Sequence, residues 1–137
     1  MGQPPQLPAD DVNLNVLPTF HIGGLGLYAG PTLHAGGTVV IMRAFDPAQF
    51  MALVERYQVS VLLLVPAIYL MLNQYPGFDP AKVSGIRHWA SGGSSLPPNL
   101  VHLFAEKGII IQQGFGMTET GPTVFIITQE DAVRKAG

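Results

Sequence analysis

The chain has 137 residues, no cysteine, and a formal charge of −2 with its seven Lys and Arg scattered. This excludes disulfide scaffolds, thiolate zinc sites and cysteine nucleophiles, and no basic face argues for nucleic acid. Only 12% of residues are charged and mean hydropathy is +0.31. Those values raise a membrane protein, but the longest unbroken apolar run, Val61 to Leu72, contains Pro66 and falls short of the roughly 20 residues a spanning helix needs.

In chain order, residues 1–9 read as a disordered lead-in or cloning remnant, with no basic n-region or apolar h-region to make a signal peptide. A cytoplasmic location is therefore expected. Residues 10–137 read as the folded part. Val12 to Leu17 alternates apolar with polar, a short strand ended by Pro18. Leu25 to His34 is apolar and helical, broken or kinked by Pro31 and ended by Gly36-Gly37. Thr38 to Met42 is β-branched and reads as a buried strand. Asp46-Pro47 is a helix cap followed by proline at the first helical position. Phe50, Leu53, Val54 and Tyr57 then recur at helical spacing, with Glu55-Arg56 on the solvated face. Val59 to Val65 is a continuous apolar strand of the kind found inside a parallel sheet.

Pro66 opens a helix to about Gln74, closed by Tyr75-Pro76-Gly77. Ile86 to Ala90 is a strand containing Trp89, read as core, as are Met42, Met51 and Met71. Ser91 to Ser95 is a tight polar turn. A helix over Pro98–Lys107 is closed by Gly108, and Ile109 to Gln113 is the next strand. Gly114 to Gly121 reads as a glycine-rich loop, Thr123 to Thr128 as a strand, and the end as a polar tail. Strand–helix–strand units with short connections make the fold class α/β with a mostly parallel sheet. The low charge fits a piece of a larger domain whose elements are covered on both faces by parts not present.

Ligands of open α/β sheets bind beyond the carboxyl ends of the strands, and two loops have that address. Ser91-Gly92-Gly93-Ser94-Ser95-Leu96 lets a backbone approach a flat ring or a phosphate, ahead of a helix N-terminus with free N–H groups. Its plain structural reading is a turn with Ser95 as helix cap. It is not a hydrolase elbow, because it lacks the second glycine of G-x-S-x-G. The second loop runs from Gln112 to Pro122. Thr118 offers a hydroxyl and Glu119 a carboxylate, a pairing suited to phosphate and Mg²⁺. Here the plain reading is a polar loop in which Thr118 caps a turn.

Gln113-Gly114-Phe115-Gly116-Met117-Thr118-Glu119-Thr120 resembles the Q-G-[YF]-G-x-T-E signature of the adenylate-forming superfamily, the acyl-CoA synthetases and their kin. Leu17-Pro18-Thr19-Phe20-His21 is similar to that family's L-P-x-F-H motif, Val65-Pro66-Ala67-Ile68 to its V-P-x-[ILM] segment, and Ser91 to Leu96 to its S-G-G-A-P-L adenine loop. The likeness spans about residues 9–137 and is closest to fatty-acyl or aryl-acid CoA ligases. It implies an enzyme that activates a carboxylic acid with ATP and Mg²⁺ to an acyl-adenylate, then passes the acyl group to coenzyme A. Carried over by position, Gly93, Ser94 and Ser95 would line the adenine and acyl side. Gln113, Gly114, Phe115, Gly116 and Met117 would hold adenine and the acyl-adenylate. Thr118 would touch phosphate, Glu119 would bind Mg²⁺, and His21 would sit beside the carboxylate and gate the acyl pocket. His21, Ile68, Gly92, Gly116 and Thr123 are the expected pocket residues. Ser95 stands where the family commonly has proline, and Phe115 replaces tyrosine but keeps a ring.

Lys82 and Lys107 lack any G-x-x-x-x-G-K context. The ribose-binding aspartate, the hinge and the C-terminal catalytic lysine of the family are also missing. The expectation is an internal slice of the large N-terminal domain, inactive alone. Read without the family, His21 is a structural histidine, and His34, His88 and His102 have no metal-ligand spacing. Two other readings stand beside this one. Gly24-Leu25-Gly26-Leu27-Tyr28-Ala29, with Asp46 downstream, fits a dinucleotide-binding module, although Pro18 to His21 separates it from its strand. Alternatively, the chain is a non-catalytic α/β piece that self-associates through uncovered apolar faces.

Overall fold

The computed structural model describes residues 8–136. Most of the expected lead-in, residues 1–7, lies outside them. The Pro8 carbonyl accepts from the Asp11 N–H at 3.1 Å in the turn that leads into the first strand. The strands are β1 (Val12–Asn15), β2 (Thr38–Ile41), β3 (Val61–Leu64), β4 (His88–Ser91), β5 (Ile111–Met117) and β6 (Gly121–Ile126). The helices are α1 (Ile22–Leu25), α2 (Ala29–His34), α3 (Pro47–Tyr57), α4 (Pro66–Gln74), α5 (Pro98–Glu106) and α6 (Gln129–Arg134). They form one six-stranded sheet in the order β2-β1-β3-β4-β5-β6, parallel except for the antiparallel β5–β6 pair. None of these helices is long and apolar enough to cross a membrane.

The helix starts follow from local chemistry. Asp46 Oδ1 accepts from the Gln49 N–H at 2.7 Å, and Pro47 takes the first helical position of α3. Phe50 and Val54 of α3 are buried, while Leu53 is half-buried and Tyr57 exposed. The larger core lies on the α3–α5 face. Leu62 and Leu64 of β3 reach it, and Tyr69, Trp89 and Phe104 meet there at ring separations of 5.3–6.5 Å. The Tyr69 hydroxyl donates to the Ala90 carbonyl at 2.9 Å, and burial pushes its pKa well above the usual phenol value. The opposite face is thinner: Tyr28, Val61, Leu63 and Ala90 form its small cluster under α1 and α2.

Several expectations need correction. Alternation in β1 does not expose its polar residues: Asn13 and Asn15 are buried under α1 and α2. Asn13 Nδ2 donates to the Val61 carbonyl at 3.2 Å and Asn15 Oδ1 accepts from the Leu17 N–H at 3.1 Å. β2, read as buried, is an edge strand with Ile41 exposed. Residues 114–117, read as loop, continue β5. The polar tail contains α6, whose cap Thr128 accepts from the Asp131 N–H. Lys135 first, then Arg134, holds the Asp131 carboxyl below its ordinary range. Met71 is exposed rather than core, whereas Met42, Met51 and Trp89 are buried.

At the amino ends of the strands, buried Asp11 pairs with Arg87 and accepts from the Ser60 hydroxyl at 2.6 Å. This ties the starts of β1, β3 and β4 together, at the end of the sheet away from the loops considered next.

Candidate functional site

The strand order reverses between β1 and β3, because the chain goes from β1 outward to β2 and then returns to the other side. That reversal separates the segments leaving the carboxyl ends and opens a crevice there. A cavity of about 580 Å³ occupies it. Its walls come from residues after β1 (Leu17 to Gly23), the end of β3 (Leu63, Val65), the turn after β4 (Ser91 to Ser94), and the β5–β6 hairpin (Gly114 to Glu119, Pro122, Thr123, Ile126).

The hairpin wall depends on one glycine. A Cβ on Gly116 would stand 1.9 Å from the Pro122 carbonyl oxygen and 3.1 Å from Thr123 Cα. Only hydrogen permits β6 to approach this closely, and the pairing register shifts between Phe115 and Met117. Phe115 lies opposite Phe125, the rings 5.6 Å apart and 19° from parallel, and both stay exposed. Thr118 and Glu119 begin a 3₁₀ turn at the tip and sit exposed on the cavity rim.

The second wall is the turn after β4. Gly93 adopts φ +84° there. The expected helix N-terminus is not available, because α5 starts only at Pro98 with Pro97 before it. Two successive prolines remove two donors, and Leu100 and Val101 already bond to the Pro97 carbonyl. Ser95 is therefore not the cap of α5; it is exposed and is not among the cavity-lining residues.

The third wall carries His21. Its Nδ1 accepts from the Gly23 N–H at 3.1 Å and so caps α1. An accepting Nδ1 leaves the proton of the neutral ring on Nε2. The Gly24–Ala29 pattern does not make a dinucleotide turn. Gly24 lies inside α1, where a Cβ would be 2.0 Å from the Pro18 carbonyl oxygen, and Gly26 ends that helix. Asp46 is occupied as the cap of α3.

Of the candidate residues, His21, Gly93, Ser94, Gly114, Phe115, Gly116, Met117, Thr118 and Glu119 line one cavity. Gly92 and Thr123 join them. Ile68 does not: it is 7% exposed and packs in the core of the α3–α5 face. Gln113 also stays outside the lining. Its Oε1 accepts from the Leu96 N–H at 3.3 Å. No motif in the sequence marks Leu27, Leu63, Val65 and Ile126 as one apolar wall. An unbroken run such as Val59 to Val65 carries no sign of which face each residue takes.

The family model described as AMP-binding enzyme matches residues 1–137. The chain belongs to this family. It is 34% identical over 131 residues to a feruloyl-CoA synthase of Amycolatopsis, a match covering 96% of this chain and 27% of that protein. It is 36% identical to an indoleacetate–CoA ligase of Aromatoleum aromaticum, covering 96% and 26%. Among solved structures it superposes on a Mycobacterium tuberculosis fatty acyl CoA synthetase with a TM-score of 0.86 and 30% identity, covering 96% of this chain and 26% of that one. The chain thus spans about a quarter of the length of the family members it matches.

Proposed function

We propose that this chain is the nucleotide- and acid-binding part of an acid–thiol ligase. The ligase joins a carboxylate to the α-phosphorus of ATP, with pyrophosphate leaving, and a thiol of coenzyme A then displaces AMP from the acyl group. The observation that carries this reading is the convergence of two glycine-rich walls and the Thr118–Glu119 rim on one cavity at the carboxyl ends of the strands. The family match and the feruloyl, indoleacetate and fatty-acyl relatives support it, and they point to a fatty or aryl acid as substrate.

In this reading Gly93 and Ser94, with Ser95 flanking them, bound the nucleotide side, and Gly114 to Met117 hold adenine and the acyl-adenylate. The Thr118 hydroxyl donates to phosphate. His21 presents Nε2–H beside the acid carboxylate, and the apolar wall around Leu63 and Ile126 receives the acid's tail. Glu119 fits a Mg²⁺ ligand: it is an exposed carboxylate on the rim, and the described residues contain no cluster of three metal-binding side chains. Mg²⁺ characteristically takes one or two carboxylates and completes its shell with phosphate oxygens and water. Such an ion would offset charge on the phosphates. We place the enzyme in the cytoplasm.

The test is acid-dependent ATP–pyrophosphate exchange by a polypeptide carrying this segment with its family-length flanks. The 137-residue chain alone is expected to show none, since no lysine stands in a phosphate-loop context. Absence of acid-dependent exchange in the long form would overturn the reading.

A further inference from the structure

We infer that Gln113 is a positioning residue that sets the spacing of the two glycine-rich walls without touching the ligand. The inference rests on the nucleotide-site reading above and departs from the role that family resemblance suggests for this side chain.

Two hydrogen bonds and one register position converge on Gln113. In the sheet it stands in register with Ser91, the last residue of β4, where the arc 92–95 departs. Its side-chain Oε1 accepts from the Leu96 N–H, where that arc returns. Leu96 is only 2% exposed and is anchored in the core. The arc carrying Gly92, Gly93 and Ser94 thus leaves the sheet beside Gln113 and is fastened to its side chain on return. Its backbone carbonyl accepts from the Ile127 N–H at 2.9 Å, immediately outside the Gly114–Ile126 pair. That bond closes the base of the β5–β6 hairpin, the other wall.

Gln113 is half-buried behind these walls. With Pro97 and Pro98 following, no helix cap holds the end of the arc in its place. The carboxamide oxygen is the group that takes the Leu96 N–H. Without it, that donor loses its partner and the arc is held at one foot only.

The experiment compares Gln113→Glu, which keeps an acceptor oxygen, with Gln113→Met, which keeps length and loses the acceptor. Gln113→Asn, one methylene short, serves if the Met variant does not fold. Amide hydrogen exchange at Leu96 and calorimetric titration with ATP are measured on each in the long form with family-length flanks. Expected are faster Leu96 exchange and about fivefold weaker ATP binding in Gln113→Met, as for one lost hydrogen bond, with both near wild type in Gln113→Glu. Unchanged Leu96 exchange in Gln113→Met overturns the inference. So does equal loss of ATP binding in the Glu and Met variants while Leu96 stays protected, which would mean that the side chain touches the nucleotide. If the wild-type long form binds no ATP, the nucleotide-site reading is what fails. Leu96 exchange, together with the exchange of Gly93 and Ser94, still decides whether Gln113 holds the arc.

Discussion

Replacing Gly116 by alanine separates a steric requirement from a mere loss of flexibility. The added Cβ would lie 1.9 Å from the Pro122 oxygen and 2.6 Å from its carbonyl carbon, both backbone atoms that no rotamer change can move. Reaching even a 3.0 Å contact requires the strands to part by about 1 Å. Overpacking of this kind costs about 1–3 kcal/mol. The lower half of that range is expected, because the tip residues 115–120 are exposed and can detach without opening the core. For a domain of this size each kcal/mol lowers the melting temperature by roughly 3–5 °C, so a drop of about 3–10 °C is expected. Gly114→Ala is the control. Its Cβ would meet the Phe125 oxygen at 3.4 Å and Ile126 Cγ1 at 3.8 Å, close to ordinary contact, and its effect should stay below about 1 kcal/mol. Calorimetry gives the shifts, and hydrogen exchange should show faster opening near Met117 and Gly121 with Leu62 and Leu64 unaffected. Equal effects of the two substitutions, or a neutral Gly116→Ala, would refute the steric argument.

Three further outcomes follow from the structure. Burial raises the Tyr28 pKa to about 12, partly countered by Arg87, so the folded state holds this proton more tightly than the unfolded one. The stability it contributes is complete below pH 10 and is lost as pH rises toward 12, amounting to about 2–3 kcal/mol. Urea unfolding between pH 9 and 12 should show that decline, shallower in Tyr28→Phe; an identical slope would contradict it. Glu119→Gln in the long form should weaken the Mg²⁺ dependence of pyrophosphate exchange by about tenfold or more while leaving the melting temperature within about 2 °C, since Glu119 is exposed on the rim. An unchanged Mg²⁺ titration would remove it from the metal site. Phe20 at 93% exposure, Ile41 at 64% and Phe125 at 62% leave large apolar surface open. The 137-residue chain should therefore associate with rising concentration in sedimentation experiments, and a monomer at all concentrations would argue against this.

Elements whose signals are local were legible in the residues. Asp46-Pro47 marks the start of α3, Pro66 the start of α4, and Gly108, at φ +79°, the end of α5. What escaped depends on partners distant in the chain. Glycine has poor strand preference, so Gly114 and Gly116 read as loop until pairing with Ile126 and the stretch around Pro122 makes them strand. β2 is β-branched in the same way as a central strand, and only its lack of a second neighbour makes it an edge. Ile68 belongs to a recognisable motif, yet the turn of α4 carries its side chain into the core. The Gln113–Leu96 bond spans 17 residues, a distance at which no periodicity speaks. α6 is only six residues long, and by residue type its cap Thr128 extends the β-branched run of the preceding strand.

The uneven thickness of the two sides of the sheet bears on how freely the crevice can change. Tyr69, Trp89 and Phe104 are clustered behind it, and Asp11 with Arg87 is at its far end. The crevice contributes few of these bulky packing residues. Exchange of an exposed lining side chain there, such as Thr123, would leave the fold largely intact. A scaffold laid out this way can change the lining of its crevice mouth without first acquiring a reserve of stability.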